Sequence, residues 1–267
     1  MTTREVRKSA RDAAREQWST VPAGTHHTEA REGTAEFFEQ MTFSRYREQP
    51  WHRDLLRNFA PTGRLLEIGC GAGTDHYELA QMADVTIGID LAEHGAGLTR
   101  KRLELAGLPG SAFVADAEDL PFEDAEFDAV YSFGVIHHTD HPESVAAEMW
   151  RVMKPDARFM VALYHRWSLF AAEKAARYLL GAKWARGVPW KTYLAGLEHG
   201  ADEMATPPLV RLYSRRSARR LFAEFRDVEI GIARTRPEWG GLEQIHEIEA
   251  LYLDHIARAR RFIYAES

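Results

Sequence analysis

The stretch Arg64-Leu65-Leu66-Glu67-Ile68-Gly69-Cys70-Gly71-Ala72-Gly73-Thr74 is a short apolar run that ends in three glycines at alternate positions, and a second apolar run ends at Asp90. Glycines so spaced let the backbone turn sharply and approach a ligand that any Cβ would displace. An acidic side chain at the end of the next strand can hold both hydroxyls of a ribose. The expected fold around this segment is strand, tight turn and helix, and the expected ligand contains adenosine.

The spacing selects among such ligands. Dinucleotide sites favour Gly-x-Gly-x-x-Gly, whereas here Gly69-x-Gly71-x-Gly73 is followed by Thr74. Glu67 stands two positions before the first glycine, where its charge opposes a diphosphate and suits a cation. The pattern therefore favours S-adenosylmethionine, with a nicotinamide-dependent oxidoreductase as the alternative from a different class.

Leu66 to Gly73 resembles the first motif of the class I S-adenosylmethionine-dependent methyltransferases, small-molecule bacterial type. Four further segments agree in order. Ile89-Asp90-Leu91 resembles the ribose-binding motif and Val114 to Phe122 the adenine-flanking segment; Phe127 to Ser132 resembles the fourth strand and Arg151 to Pro155 the turn before the fifth. Asp156-Ala157 replaces the family's usual glycine pair, which alters that turn's geometry.

The resemblance implies an α/β Rossmann-like fold: a mostly parallel seven-stranded sheet, helices on both faces, and an antiparallel last strand. It also implies S-adenosylhomocysteine as product and a cofactor set of Glu67, Gly69, Gly71, Gly73, Asp90, Leu91, Asp116, Ala117, Phe133 and Gly134. Of these, Asp90 is expected on the ribose, Asp116 and Ala117 at the adenine edge, Leu91 on the adenine face, and Glu67 near the amino and sulfonium charges.

Periodicity and punctuation divide the chain into four parts. Residues 1–60 read as an N-terminal helical cap, with Val6, Ala10, Ala14 and Trp18 on one face of a helix over 4–18, then a loop at Pro22 and Gly24 and an aromatic stretch. Residues 61–165 read as the cofactor-binding core, with strands 64–69, 85–90, 111–115, 127–132 and 157–164. Helices are expected at 74–83 and 92–106, and a third after Asp140-His141-Pro142-Glu143, where Asp140 reads as an acidic cap. Residues 166–213 read as an aromatic insertion that caps the substrate. Residues 214–267 complete the sheet through helix 214–224, strand 226–234, helix 242–258 and strand 261–265.

Methyl transfer from a sulfonium is a direct displacement, in which alignment alone can supply about 7–11 kcal/mol of the barrier. His137 and His138 follow the fourth strand and are the candidate base or substrate orienter, an ordinary imidazole titrating near ~6.5. The alternative is that His138, Asp140 and His141 only organise the loop. Tyr46, Tyr164, His165, Trp184 and Trp190 are candidates for an apolar acceptor pocket. The His137-His138-Thr139-Asp140-His141 run does not read as a metal site, because adjacent side chains diverge and metal pairs on a helix need i, i+4 spacing.

The 267 residues carry a formal charge of −6, which gives no general attraction for a phosphate backbone and argues against a nucleic-acid partner. Arg211, Arg215, Arg216, Arg219 and Arg220 are the best candidate for a basic patch, and the four on the expected helix, Arg215, Arg216, Arg219 and Arg220, read as a solvated face. Cys70, the single cysteine, reads as a small buried residue beside the glycine loop. No apolar run approaches the ~20 residues of a membrane span. The expectation is a soluble, cytoplasmic natural-product enzyme with no membrane partner, a homodimer being left open. Its expected substrate is a small-molecule methyl acceptor methylated at O or N, a secondary metabolite being what the resemblance implies. A methyltransferase-fold protein that binds the cofactor but catalyses a cyclisation is the nearer alternative.

Overall fold

Side chains alternate between the two faces of a strand, and the central strands of this chain bury both. Strand β1 (Arg64–Ile68) sends Leu65 to one side and Leu66 and Ile68 to the other. Strand β4 (Phe127–Phe133) divides Ala129 and Tyr131 from Val130, and β5 (Met153–Tyr164) divides Met160 and Ala162 from Phe159, Val161 and Leu163. The first set packs on Leu55, Leu56 and Phe59 of a helix; the second packs on Val145, Met149 and Val152 of another and on Phe222. Burying each large apolar side chain contributes about 1.5–3 kcal/mol, so near-continuous apolar runs are stable only between two helical layers.

The computed structural model describes residues 10–20, 22, 25, 28–167, 169–181, 183–187, 189, 190, 193, 209–233 and 261–266. Helices α1 (Ala10–Thr20), α2 (Ala35–Glu48) and α3 (Pro50–Phe59) precede β1. After it come α4 (Thr74–Leu79), β2 (Val85–Asp90), α5 (Glu93–Ala106), β3 (Ser111–Val114), β4, α6 (Pro142–Val152) and β5. Helix α7 (Leu169–Leu180), helix α8 (Arg215–Leu221), β6 (Val228–Ala233) and β7 (Arg261–Glu266) follow. The expected helix 242–258 lies outside the described residues.

Local chemistry sets the boundaries. Thr34 caps α2 by accepting from the Phe37 N–H, Pro50 opens α3, and Ser214 and Ser217 form a reciprocal capping box on α8. Asp140 does not cap α6. His141 is its N-cap residue, without a side-chain bond, and Pro142 starts the helix. Helix α4 stops at Leu79, four residues short of expectation. Strand β5 begins at Met153 because the Lys154-Pro155-Asp156-Ala157 segment is absorbed as an irregularity, its partners on β4 jumping from Met153 opposite Phe127 to Arg158 opposite Ala129.

The sheet order is β3-β2-β1-β4-β5-β7-β6. The five strands β1 to β5 are parallel, as expected. The expected antiparallel last strand is not found: β7 runs parallel to β5, from Met160 opposite Phe262 to Tyr164 opposite Glu266, and parallel to β6. A parallel neighbour requires a crossover rather than a hairpin, and residues 234–260 separate the two strands. The chain leaves β1 towards β3 and returns to place β4 on the other side of β1. That reversal opens a crevice beyond the strand ends.

Candidate cofactor and acceptor site

Each strand on the two sides of the reversal delivers a loop into one cavity. It is lined by Gly69 and Gly71 after β1, Asp90 and Leu91 at the end of β2, Asp116 and Ala117 after β3, and Phe133, Gly134 and His138 at and after β4. Eight of the ten expected cofactor residues therefore meet, although 65 positions separate Gly69 from Gly134. Gly69 is required by packing, because a Cβ there would lie 2.1 Å from Val135 Cγ2 at φ +79°. Gly71 and Gly134 also have left-handed φ, yet an added Cβ meets no protein atom within 4 Å. At these two lining positions the missing side chain leaves open the space a close-approaching ligand needs.

Asp90 organises the glycine loop as well as the wall. Its Oδ2 accepts from the Gly71 N–H at 2.9 Å and its Oδ1 from the Ala92 N–H at 2.9 Å. Burial pushes its carboxyl up, against the pull of these backbone donors. Asp116 accepts from the Glu118 N–H at 2.9 Å and pairs with Arg11.

Two expected cofactor residues lie outside the cavity. Glu67 is buried, and its Oε2 is 2.7 Å from Nδ1 of the buried His76 on α4. Its charge is thus answered inside the fold, and burial raises its carboxyl. Gly73 caps α4 against Thr99, whose Oγ1 would lie 2.9 Å from an added Cβ.

The two histidine rings lie 4.2 Å apart at 55°, and only one of them reaches the cavity. His137 is fully buried and stacks on Tyr164 at 3.9 Å and 29°, outside the cavity. His138 lines it, and its Nδ1 donates to the Leu209 carbonyl at 2.8 Å, which leaves Nε2 as the acceptor nitrogen of the neutral ring. Burial lowers its pKa to about 4, so the ring is neutral at physiological pH.

The aromatic candidates form other structures. Tyr46 lies beneath the Arg53 guanidinium at 4.3 Å, with its phenol pushed up by burial. Tyr164 and the buried His165 end β5 outside the cavity, His165 bridging to Tyr213. Trp184 is exposed, and Trp190 packs on Tyr178 at 5.3 Å and Tyr193 at 5.9 Å. None of the five lines the cavity. The arginines of α8 are exposed as expected, but Arg211 donates to the Asp140 carbonyl at 2.7 Å. Cys70 is free and buried.

Sequence reasoning expected an N-terminal helical cap but named no residue of α1 as lining the site. Arg11, Ala14 and Trp18, spaced i, i+3 and i+7 on α1, lie over the cavity. The Arg11 N–H donates to Asp140 Oδ2 at 3.2 Å, Arg15 Nε donates to the Leu91 carbonyl at 3.3 Å, and the Trp18 ring meets His138 edge-on at 5.8 Å. Ala14 and Trp18 had the right inward spacing; the spacing alone did not distinguish a core face from a cavity roof.

Among the described residues the lining carries four carboxylates, Asp90, Asp116, Glu118 and Asp140, and one guanidinium, that of Arg11. That excess suits a cationic ligand and opposes a diphosphate. Among the described residues no cluster of three or more His, Cys, Asp or Glu could hold a metal ion, and no helix is long and apolar enough to cross a membrane.

Residues 66–161 match the family described as a methyltransferase domain. The chain is 33% identical over 102 residues to an O-methyltransferase of Aspergillus nomiae, covering 37% of this chain and 45% of that protein. It is 36% identical over 118 residues to a demethylmenaquinone methyltransferase of Clavibacter sepedonicus, covering 43% and 47%. The matched stretch thus spans about half the length of these curated relatives. The crystal structure of geranyl diphosphate C-methyltransferase from Streptomyces coelicolor A3(2) shares the fold, with a TM-score of 0.54 at 14% identity over 81% of this chain and 78% of that one. A glycine loop, a strand-end aspartate and a sheet reversal thus meet in one cavity within residues 66–161, the stretch that matches the methyltransferase domain.

Proposed function

We propose that this chain transfers a methyl group from S-adenosylmethionine to an oxygen or nitrogen atom of a small molecule of secondary metabolism, releasing S-adenosylhomocysteine. The observation that carries the reading is the convergence of the glycine loop, Asp90, Asp116 and Gly134 on one cavity with an excess of carboxylates. In this reading Asp90 holds the ribose hydroxyls, Asp116 and Ala117 meet the adenine edge, Leu91 covers the adenine face, and the open backbone at Gly71 admits the methionyl part.

The bound donor supplies a methyl carbon already activated by its sulfonium: the acceptor's lone pair forms the new bond as the carbon–sulfur pair leaves on sulfur. The protein's share is alignment and water exclusion. Helix α1 supplies the exclusion by roofing the cavity. His138 orients the acceptor's O–H or N–H and receives its proton at Nε2, from which it passes to water.

The test is incubation with donor carrying a labelled methyl group and a panel of phenols and amines. Label in an extracted product, with S-adenosylhomocysteine formed in equal amount, is the expected result. Label that stays with the donor while the product skeleton changes favours a cyclisation instead.

A further inference from the structure

Helix α7 is apolar on the side that faces the protein and again on a side that faces water. Ala171, Ala175 and Tyr178, at i, i+4 and i+7, form its inner face: Ala171 is buried, and the half-buried Tyr178 packs on Trp190 and Tyr193. Ala172, Ala176, Leu179 and Leu180, at i, i+4, i+7 and i+8, form a second stripe, and all four are exposed. Leu179 is 62% and Leu180 88% exposed. A 3-10 turn, Trp184–Arg186, follows the helix, tied to it by the Lys183 N–H, which donates to the Tyr178 carbonyl at 3.2 Å; its Trp184 is 60% exposed. An outer helix normally turns charged and polar side chains to water. Leucines and an indole at this exposure mark a surface that something covers.

Charge decides what covers it. Residues 166–191 hold six lysines and arginines and one acidic residue, Glu173, in a chain whose formal charge is −6. Lys183 and Arg186 stand on either side of Trp184 in the chain, and Arg186 is exposed. A second copy would set like charge against like. A nucleic acid would leave the leucines and the indole in water. An anionic bilayer answers both, because its headgroups attract lysine and arginine while its acyl boundary takes leucine and tryptophan.

We infer that the outer stripe of α7 and the turn after it form a docking surface for an anionic membrane, with Leu179, Leu180 and Trp184 entering the acyl boundary and Lys183 and Arg186 meeting the lipid phosphates. The expectation of no membrane partner rests on the absence of a spanning run, which a helix lying in the interface does not need. This surface is independent of the methyl-transfer reading.

The test is co-sedimentation of the full chain with vesicles of phosphatidylcholine alone or with about 30% phosphatidylglycerol, at about 0.1 M and about 0.5 M salt. Binding to the anionic vesicles, about ten-fold or more tighter than to the neutral ones and weakened at the higher salt, is the expected result. Leu179→Ser with Leu180→Ser should weaken that binding by about ten-fold or more. Lys183→Glu with Arg186→Glu should abolish the preference for anionic lipid. Each pair keeps the wild-type circular dichroism. No binding by wild type, equal binding to both kinds of vesicle, or binding that survives both pairs of substitutions overturns the inference. A dimer in sedimentation velocity that the serine pair dissolves, with no vesicle binding, overturns it too and gives the face to a second copy.

Discussion

Asp90→Ala will weaken S-adenosylhomocysteine binding by about 100-fold, close to 2.7 kcal/mol, with the fold retained. The carboxylate holds the Gly71 and Ala92 amides, each at 2.9 Å, and lines the cavity in which we propose that the ribose binds. Hydrogen bonds to a charged partner contribute about 1.5–3 kcal/mol each, and an amide left without its acceptor adds the cost of its lost hydration. Alanine therefore removes the ribose contact and also loosens the glycine loop. Asn keeps one acceptor oxygen, so Asp90→Asn should fall between wild type and alanine. Calorimetric titration of the three proteins, with circular dichroism to verify folding, reads the effect. An unchanged affinity in Asp90→Ala would remove Asp90 from the site.

The largest stability effect is expected at Asp75. Its Oδ2 accepts from Tyr131 Oη at 2.8 Å, from His52 Nε2 at 3.0 Å and from Arg45 Nη2 at 3.2 Å, while Tyr131 and His52 are fully buried. Burial by itself pushes the Asp75 carboxyl up. The neighbouring His52 and Arg45, with the His52 and Tyr131 hydrogen bonds, outweigh that and hold it well below the usual carboxylate range. Burial lowers His52 in its turn, against the pull of Asp75. Asp75→Ala leaves two buried donors and the half-buried Arg45 without their common acceptor, a loss of about 3–5 kcal/mol. Thermal unfolding should drop by about 10 °C.

This network also reaches the site. Phe133, in the cavity wall, lies 4.6 Å below the Arg45 guanidinium and 4.3 Å from the His52 ring. Asp75→Ala should therefore reduce cofactor affinity as well as stability, and Asp75→Asn should recover part of both. A melting temperature within about 2 °C of wild type would show the network to be dispensable.

The parts of the site that were legible from the sequence are those in which backbone geometry dictates residue type. Gly69 and Gly71 mark a turn that side chains would obstruct, and Asp90 and Asp116 mark strand ends, so motif spacing places all four. The core was legible for the same reason, since β1, β4 and β5 bury apolar residues on both faces. What escaped depends on partners remote in sequence or on side-chain direction. Glu67 carries the charge its position suggests, but His76 on α4 takes it. The adjacent imidazoles at 137 and 138 pack 4.2 Å apart, yet only His138 lines the cavity, while His137 stacks on Tyr164.

Aromatic content says little about which way a ring faces. Trp184 and Trp190 have the composition of a pocket wall, yet one is exposed and the other packs on neighbours in its own segment. Trp18 carries no motif and acquires its place only when α1 docks across the strand ends, pinned by Arg11 and Arg15. The direction of β7 likewise depends on the path between β6 and β7, which no local pattern specifies.

All of these assignments depend on one ligand entering the crevice between β1, β2 and β4. Isothermal titration of the purified wild-type chain with S-adenosylhomocysteine measures that directly. Saturable uptake of one molecule per chain, competed by S-adenosylmethionine and not by reduced nicotinamide dinucleotide, is the predicted outcome. Absence of uptake by folded protein, or tight binding of the nicotinamide in its place, would contradict it.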